Sequence, residues 1–160
     1  MLNQNEIKNL FDYSDGKLYW RKRMSSKAPQ NAEAGFIQGN GYRGVGIRGR
    51  VYAAHRLVYL YHHGCLPAAI DHIDGDILNN RVENLRPATA LQNGANRKRG
   101  VNNSSGVKNV SWCKTAQKWT VMIQKNKVQH YFGRYKNLAE AADVARQARL
   151  KLLGEFARHE

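Results

Sequence analysis

IDHIDGDILNNRVENLRPAT, residues Ile70 to Thr89, holds three aspartates, a histidine and three asparagines within twenty positions. Leu66, Pro67, Ala69 and Ile70 make an apolar approach to Asp71 and His72. Asp74-Gly75 is a strong turn signal, and Leu85-Arg86 begins a returning run, so the stretch predicts a β-hairpin with a polar loop. Thr89 and Gln92 stand at capping-box spacing, which predicts a short helix starting at Ala90 with Asn93 in its first turn. The expected order is strand, loop, strand, helix. Adjacent strand residues point to opposite faces, so alternation alone does not bring Asp71 and His72 to one site.

The flanks supply a scaffold. AHRLVYLYHHG, Ala54 to Gly64, offers Leu57, Val58, Leu60 and Tyr61 as an apolar face and Gly64 as a stop, which predicts a buried helix. Before it, YRGVGI and RVYAA flank Arg48-Gly49 as a β-hairpin. The glycines from Gly35 to Gly49 fit neither a Walker loop nor a dinucleotide fingerprint. NQNEIKNLFDY has the spacing of a short amphipathic helix, and GKLYWRKR alternates like a strand. After the central stretch, RKRGVNNSSGV, Arg97 to Val107, has the composition of a linker. Residues 1–100 are thus expected as one domain, with a core motif at 54–97, and 101–160 as another. In the second, KWTVMIQ and VQHYFG predict paired strands joined by a turn at Lys125 to Lys127. Asn137 and Glu140 then resemble a capping box, and Leu138, Ala141, Ala142, Ala145, Ala148 and Leu152 recur at helical spacing until Gly154.

Charge narrows the partner. The 160 residues carry 26 Lys and Arg against 12 Asp and Glu, a formal charge of +14. From Glu83 to Glu140 eleven basic residues intervene and no acid does, whereas an ordinary solvated face mixes both signs. A polyanion is therefore the expected ligand. No run approaches the length of a spanning helix, and MLNQNEIKNL lacks the apolar core of a signal peptide, so a cytoplasmic protein is expected. Cys65 and Cys113 have no CxxC partner and are read as free thiols. The calcium-loop register fails, since the twelfth position from Asp71 is Val82 rather than Glu. His62, His63, Cys65 and His72 as a zinc set, and His55 as a catalyst, are weaker readings than surface or packed histidines. Asn79, Asn80 and Arg81 read as turn chemistry.

The DHIDG, NN and NL segments, followed by an asparagine on the predicted helix, resemble the HNH nuclease family and its ββα-metal motif, in the form found in phage and intron homing endonucleases. The resemblance implies that Asp71 and Asn93 are ligands of one divalent metal ion and that His72 is the general base. It gives Asn84 the task of holding the loop through backbone groups and orienting the imidazole. The commonest pattern has histidine where this chain has Asn93. The residue types suit the chemistry independently. Phosphodiester hydrolysis needs water made nucleophilic, for which a neutral histidine near pH 7 serves, and a cation such as Mg²⁺ or Mn²⁺ held by oxygen ligands.

Ser105 to Ala157, with G-V, W, K-W, Y-F-G, EAA and LKLLGEFA in order, resembles the AP2 DNA-binding domain. That resemblance implies a three-stranded antiparallel sheet backed by a helix, with the sheet entering the major groove. Its DNA-contacting set would be Lys108, Ser111, Lys114, Lys118, Gln124, Lys125, Lys127, Gln129 and Tyr131, joined by Arg97, Lys98 and Arg99 of the linker. Cys113 and Met122 also fall on the outward alternation, while Trp119, Val121, Ile123 and Phe132 are expected in the core. Plant members carry several arginines on this face where this chain has Ser111, Cys113, Met122, Gln124 and Gln129, so their recognition sequence does not transfer. The expectation is an α+β chain: a metal-dependent homing-type endonuclease acting on double-stranded DNA in a bacterial or phage-infected cell. A monomer is expected, with a dimer as the alternative. The competing expectation is a DNA-binding or regulatory protein whose nuclease fold no longer cuts. An RNA-binding protein is disfavoured because no RNP-type aromatic strand or GXXG loop occurs.

Overall fold

Asn3 opens the first helix by accepting a hydrogen bond from the Glu6 N–H (2.9 Å), while the Glu6 carboxylate accepts from the Asn3 N–H (3.1 Å). The computed structural model that records this box describes residues 2–96 and 102–158. It shows a mixed α/β chain with small antiparallel sheets, divided into two compact units, Met1–Thr89 and Ala90–Glu160.

In the first unit, helix α1 (Gln4–Leu10) leads into β1 (Phe11–Ser14) and β2 (Lys17–Trp20), an antiparallel pair turned at Asp15 and Gly16. Strands β3 (Phe36–Ile37), β4 (Arg43–Ile47) and β5 (Arg50–Ala53) form a sheet in that order. The β4–β5 hairpin turns where expected, with Arg48 and Gly49 both at positive φ (49° and 77°), the backbone that a two-residue connection demands. Helix α2 (Ala54–His63) stops at Gly64, whose φ of 73° is left-handed. Its Leu57, Val58 and Leu60 are buried with Ile7, Phe11, Leu18, Trp20 and Val45 in one core. Ile70 and Leu85 enter the same core. They anchor the two strands of the central hairpin, β6 (Ala69–His72) and β7 (Leu85–Ala88), and a 3₁₀ turn at Val82–Asn84 precedes β7.

The second unit begins with the short helix α3 (Ala90–Ala95), at the start expected for it. Strands β8 (Val110–Cys113), β9 (Lys118–Lys125) and β10 (Val128–Tyr135) form an antiparallel sheet in the order β10-β9-β8. Asn126 and Lys127 make the β9–β10 turn at positive φ. One extra residue in β10 after Tyr131 bulges the strand near Gly133, whose φ is 110°. Helix α4 (Leu138–Leu153) runs from an Asn137 cap to Gly154. The cap forms by a single bond from the Ala139 N–H (2.7 Å) to Asn137, not by a reciprocal box with Glu140. Ala141 and Ala145 pack on Val110 and Val121, with Trp119, Phe132 and Tyr135 against them. Among the described residues, no helix is long and apolar enough to cross a membrane.

Candidate active site

The β6–β7 register fixes the first pair of side chains. Asp71 lies opposite Arg86, and both Nε and Nη2 of Arg86 donate to Asp71 Oδ2, at 2.9 and 2.8 Å. The carboxylate is 3% exposed and the guanidinium side chain 15%, so this is a desolvated ion pair. Reading the hairpin in register would have found Arg86, since the residues facing Asp71 and His72 follow once the strands are paired.

His72 is one residue on and lies opposite Leu85, on the face that carries Ile70 into the core. The residue is 4% exposed. Nε2 lies 3.0 Å from the side-chain oxygen of Asn80, which is itself 3% exposed. The imidazole is walled by aromatic edges: His55, on the first turn of α2, sits 5.3 Å away at 72°, and Tyr42 sits 6.2 Å away. Burial, and then the neighbouring His72 and Arg56, push the His55 pKa down to about 4, so His55 is neutral at pH 7. His55 is thus a packed ring, as expected. Besides Arg86, Tyr42 was not marked by the sequence, and Asn80 was read only as turn chemistry. Nothing local distinguishes Asn80 from its turn neighbour Asn79; its place is set from outside the loop.

That outside support is the β1–β2 turn. A Cβ on Gly16 would stand 2.8 Å from the backbone nitrogen of Arg81 and 3.0 Å from the carbonyl carbon of Asn80. Arg81 pairs with Asp15 at 2.6 Å, and the Val82 N–H donates to the Tyr13 hydroxyl at 3.1 Å.

Asn84 closes the loop. Its Nδ2 donates to Asp74 Oδ1 (2.9 Å) and to the Asn79 carbonyl (2.8 Å), and its Oδ1 accepts from the Asp74 N–H (3.1 Å). The Asp74 carboxylate also accepts from the Asp76 N–H and from Asn79. Partial burial opposes ionisation of Asp74, but these hydrogen bonds and the charge of His72 outweigh it and hold the carboxyl below its ordinary value. The backbone role expected of Asn84 is therefore present. The Asn84 side-chain bonds all go to the loop, and a side chain that does bond His72 is that of Asn80. Asn93 lies on α3, in the second unit.

His62 stacks edge-on with Tyr13 at 4.4 Å and His63 lies over Tyr59 at 4.2 Å. Among the described residues, no three His, Cys, Asp or Glu side chains gather as a metal cluster.

Within the second unit, Ser111, Lys118, Gln124, Gln129 and Tyr131 share, by register, the sheet face that carries Cys113 and Met122. Val110, Val121 and Ile123 are buried on the other face. Ser111, Gln124, Gln129, Tyr131, Lys114, Lys125 and Lys127 are exposed, and Lys118 is half-exposed. The Lys125 ammonium donates to the Leu152 carbonyl in the last turn of α4. Lys108 is half-buried, and burial together with Arg149 and Arg158 lowers its pKa to about 8. Arg97, Lys98 and Arg99 lie outside the described residues.

Comparison with known proteins places this arrangement. Residues 52–95, from β5 through α3, match the model of the HNH endonuclease family. The chain is 39% identical over 89 residues to protein 3.8 of Escherichia phage T7, covering 56% of this chain and 73% of that one. It is 34% identical over 106 residues to an uncharacterised HNH endonuclease, L560, of Acanthamoeba polyphaga mimivirus, covering 64% of this chain and 54% of that one. No solved structure matches. The matched segment contains Asp71, His72, Asn84 and Asn93, and on this evidence the chain belongs to the HNH endonuclease family.

Proposed function

We propose that the chain is a metal-dependent, homing-type DNA endonuclease that cuts double-stranded DNA in a phage-infected host cell. The observation that carries this is His72: an imidazole at a strand end, buried, walled by His55 and Tyr42 and bonded at Nε2, next in sequence to a buried carboxylate. Such a ring suits a general base, which contributes ~10²–10⁴-fold. Asp71 and Asn93 are the proposed ligands of one Mg²⁺ or Mn²⁺ ion. Carboxylate and amide oxygens fit a hard cation whose other positions water and phosphate fill, and no His/Cys cluster of the described residues fits tetrahedral zinc. When bound, the ion neutralises charge on the phosphate and leaving oxygen. Arg86 holds the Asp71 carboxylate in place, and Asn84 keeps the loop closed.

In functional terms we take 1–100, with its core at 54–97, as the nuclease domain and 101–160 as an AP2-like DNA-binding domain. The sheet of β8, β9 and β10 backed by α4, with Lys118 and the amides of Gln124 and Gln129 on its outer side, supports that reading. The proposed DNA contacts are Lys108, Ser111, Lys114, Lys118, Gln124, Lys125, Lys127, Gln129 and Tyr131, with Arg97, Lys98 and Arg99. The test is conversion of supercoiled plasmid to open-circular or linear DNA. Cleavage that needs Mg²⁺ or Mn²⁺, stops with EDTA and is lost in His72→Ala is the expected result. Salt-sensitive binding with no cleavage under any metal overturns the enzymatic reading in favour of a DNA-binding protein that retains the fold.

A further inference from the structure

We propose, building on the nuclease reading, that Asn80 is the positioning residue for His72, its carboxamide oxygen accepting the Nε2–H and fixing the neutral ring with its lone pair on Nδ1. The two residues are 3% and 4% exposed and the bonded atoms 3.0 Å apart, so the bond forms away from competing water. A buried imidazole N–H or carboxamide oxygen without a partner costs free energy, and here each of the two meets that need in the other.

The Asn80 backbone is held independently of His72. Its N–H donates to the Leu78 carbonyl at 3.0 Å, the Gly16 turn backs directly onto the Asn80–Arg81 peptide, and the Asp15–Arg81 and Tyr13–Val82 contacts fix the following residues. The ring, in turn, is flanked by His55 at 5.3 Å and Tyr42 at 6.2 Å between ring centroids. Position on one side and orientation on the other are thus both imposed on a single hydrogen bond.

The choice of amide over acid has a chemical consequence. A carboxylate at position 80 would stabilise the imidazolium and hold the proton once taken. A carboxamide selects the tautomer and leaves the ring free to pass the proton on.

The test reads the tautomer directly, by ¹⁵N imidazole resonances of the metal-free full-length chain under conditions where His72 is neutral, with His72→Gln assigning the signal. The wild type is expected to show Nε2–H. Asn80→Leu should give a mixture of tautomers and, with Mg²⁺, lower kcat by ~10–100-fold, the usual scale for such a partner, with KM for DNA little changed. Asn80→Asp, which keeps the acceptor, should retain Nε2–H and, because its carboxylate holds the proton once taken, recover kcat only in part relative to Asn80→Leu. A wild-type Nδ1–H tautomer overturns the proposal, as does an Asn80→Leu chain with unchanged tautomer and kcat. If Asn80→Leu does not fold, loss of Nε2–H in Asn80→Asp overturns it and retention supports it. A wild-type chain with the expected tautomer that never cuts DNA removes the catalytic meaning and the nuclease reading together, while the contact itself stands.

Discussion

Removing the Arg86 guanidinium leaves the Asp71 carboxylate charged and buried without its cross-strand partner. Arg86→Met is therefore expected to lower stability by about 3 kcal/mol or more in urea unfolding, whereas Asp71→Asn combined with Arg86→Met should regain much of that loss, because no buried charge remains. His55 makes a prediction of the opposite electrical sense. Its pKa falls from the ordinary 6.5 to about 4 in the folded chain, so between these values the unfolded state binds a proton that the folded state refuses. Stability rises with pH across that window and is lost as pH falls through it. His55→Phe should flatten this dependence by on the order of 2 kcal/mol, measured by denaturation at a series of pH values. At this scale the sequence was partly legible. Asp71, His72 and Asn84 are marked by type and spacing, and Asn84 bonds the loop backbone as its motif implies. Asn80 could not be told from Asn79, because what sets its place is the Gly16 turn, far earlier in the chain, that presses on the Asn80–Arg81 peptide.

Elements were easier to read than contacts between them. The β4–β5 and β9–β10 hairpins, α2 with its Gly64 stop and α4 with its Asn137 cap all follow from local chemistry: left-handed turn residues, alternation and helical spacing. The capping box at Asn3 and Glu6, which the spacing reading of that helix did not include, follows the same local rule. What alternation could not supply is the packing of the β1–β2 turn beneath the hairpin loop. Gly16 is the point of that contact, with φ at 81° and no room for a Cβ. Gly16→Ala should cost about 1–3 kcal/mol from backbone strain alone, and the displaced Asn80–Arg81 peptide should carry His72 with it. Thermal unfolding and plasmid cleavage by the same variant check the two effects: a stable Gly16→Ala chain with normal cleavage would count against the turn as support for the site.

Across the whole molecule the charge is uneven. The first unit has 12 Lys and Arg against 8 Asp and Glu, the second 14 against 4. Affinity for DNA should therefore fall steeply with salt, and replacing Lys114 and Lys127 with Gln should reduce the log–log slope by about 2, measured by titration over a range of NaCl. An unchanged slope would remove those lysines from the interface. In the first unit, pairs such as Arg21–Asp12, Arg43–Glu33 and Arg48–Glu6 set opposite charges against each other; in the second, four acids face fourteen bases. Like charges crowded on so small a fold repel, and the repulsion is relieved when the chain expands. The second unit thus works against its own compactness in the absence of counter-charge. A polyanion bound there, as the proposed function requires, would act as a folding partner as well as a target, and the unit would be most secure when occupied.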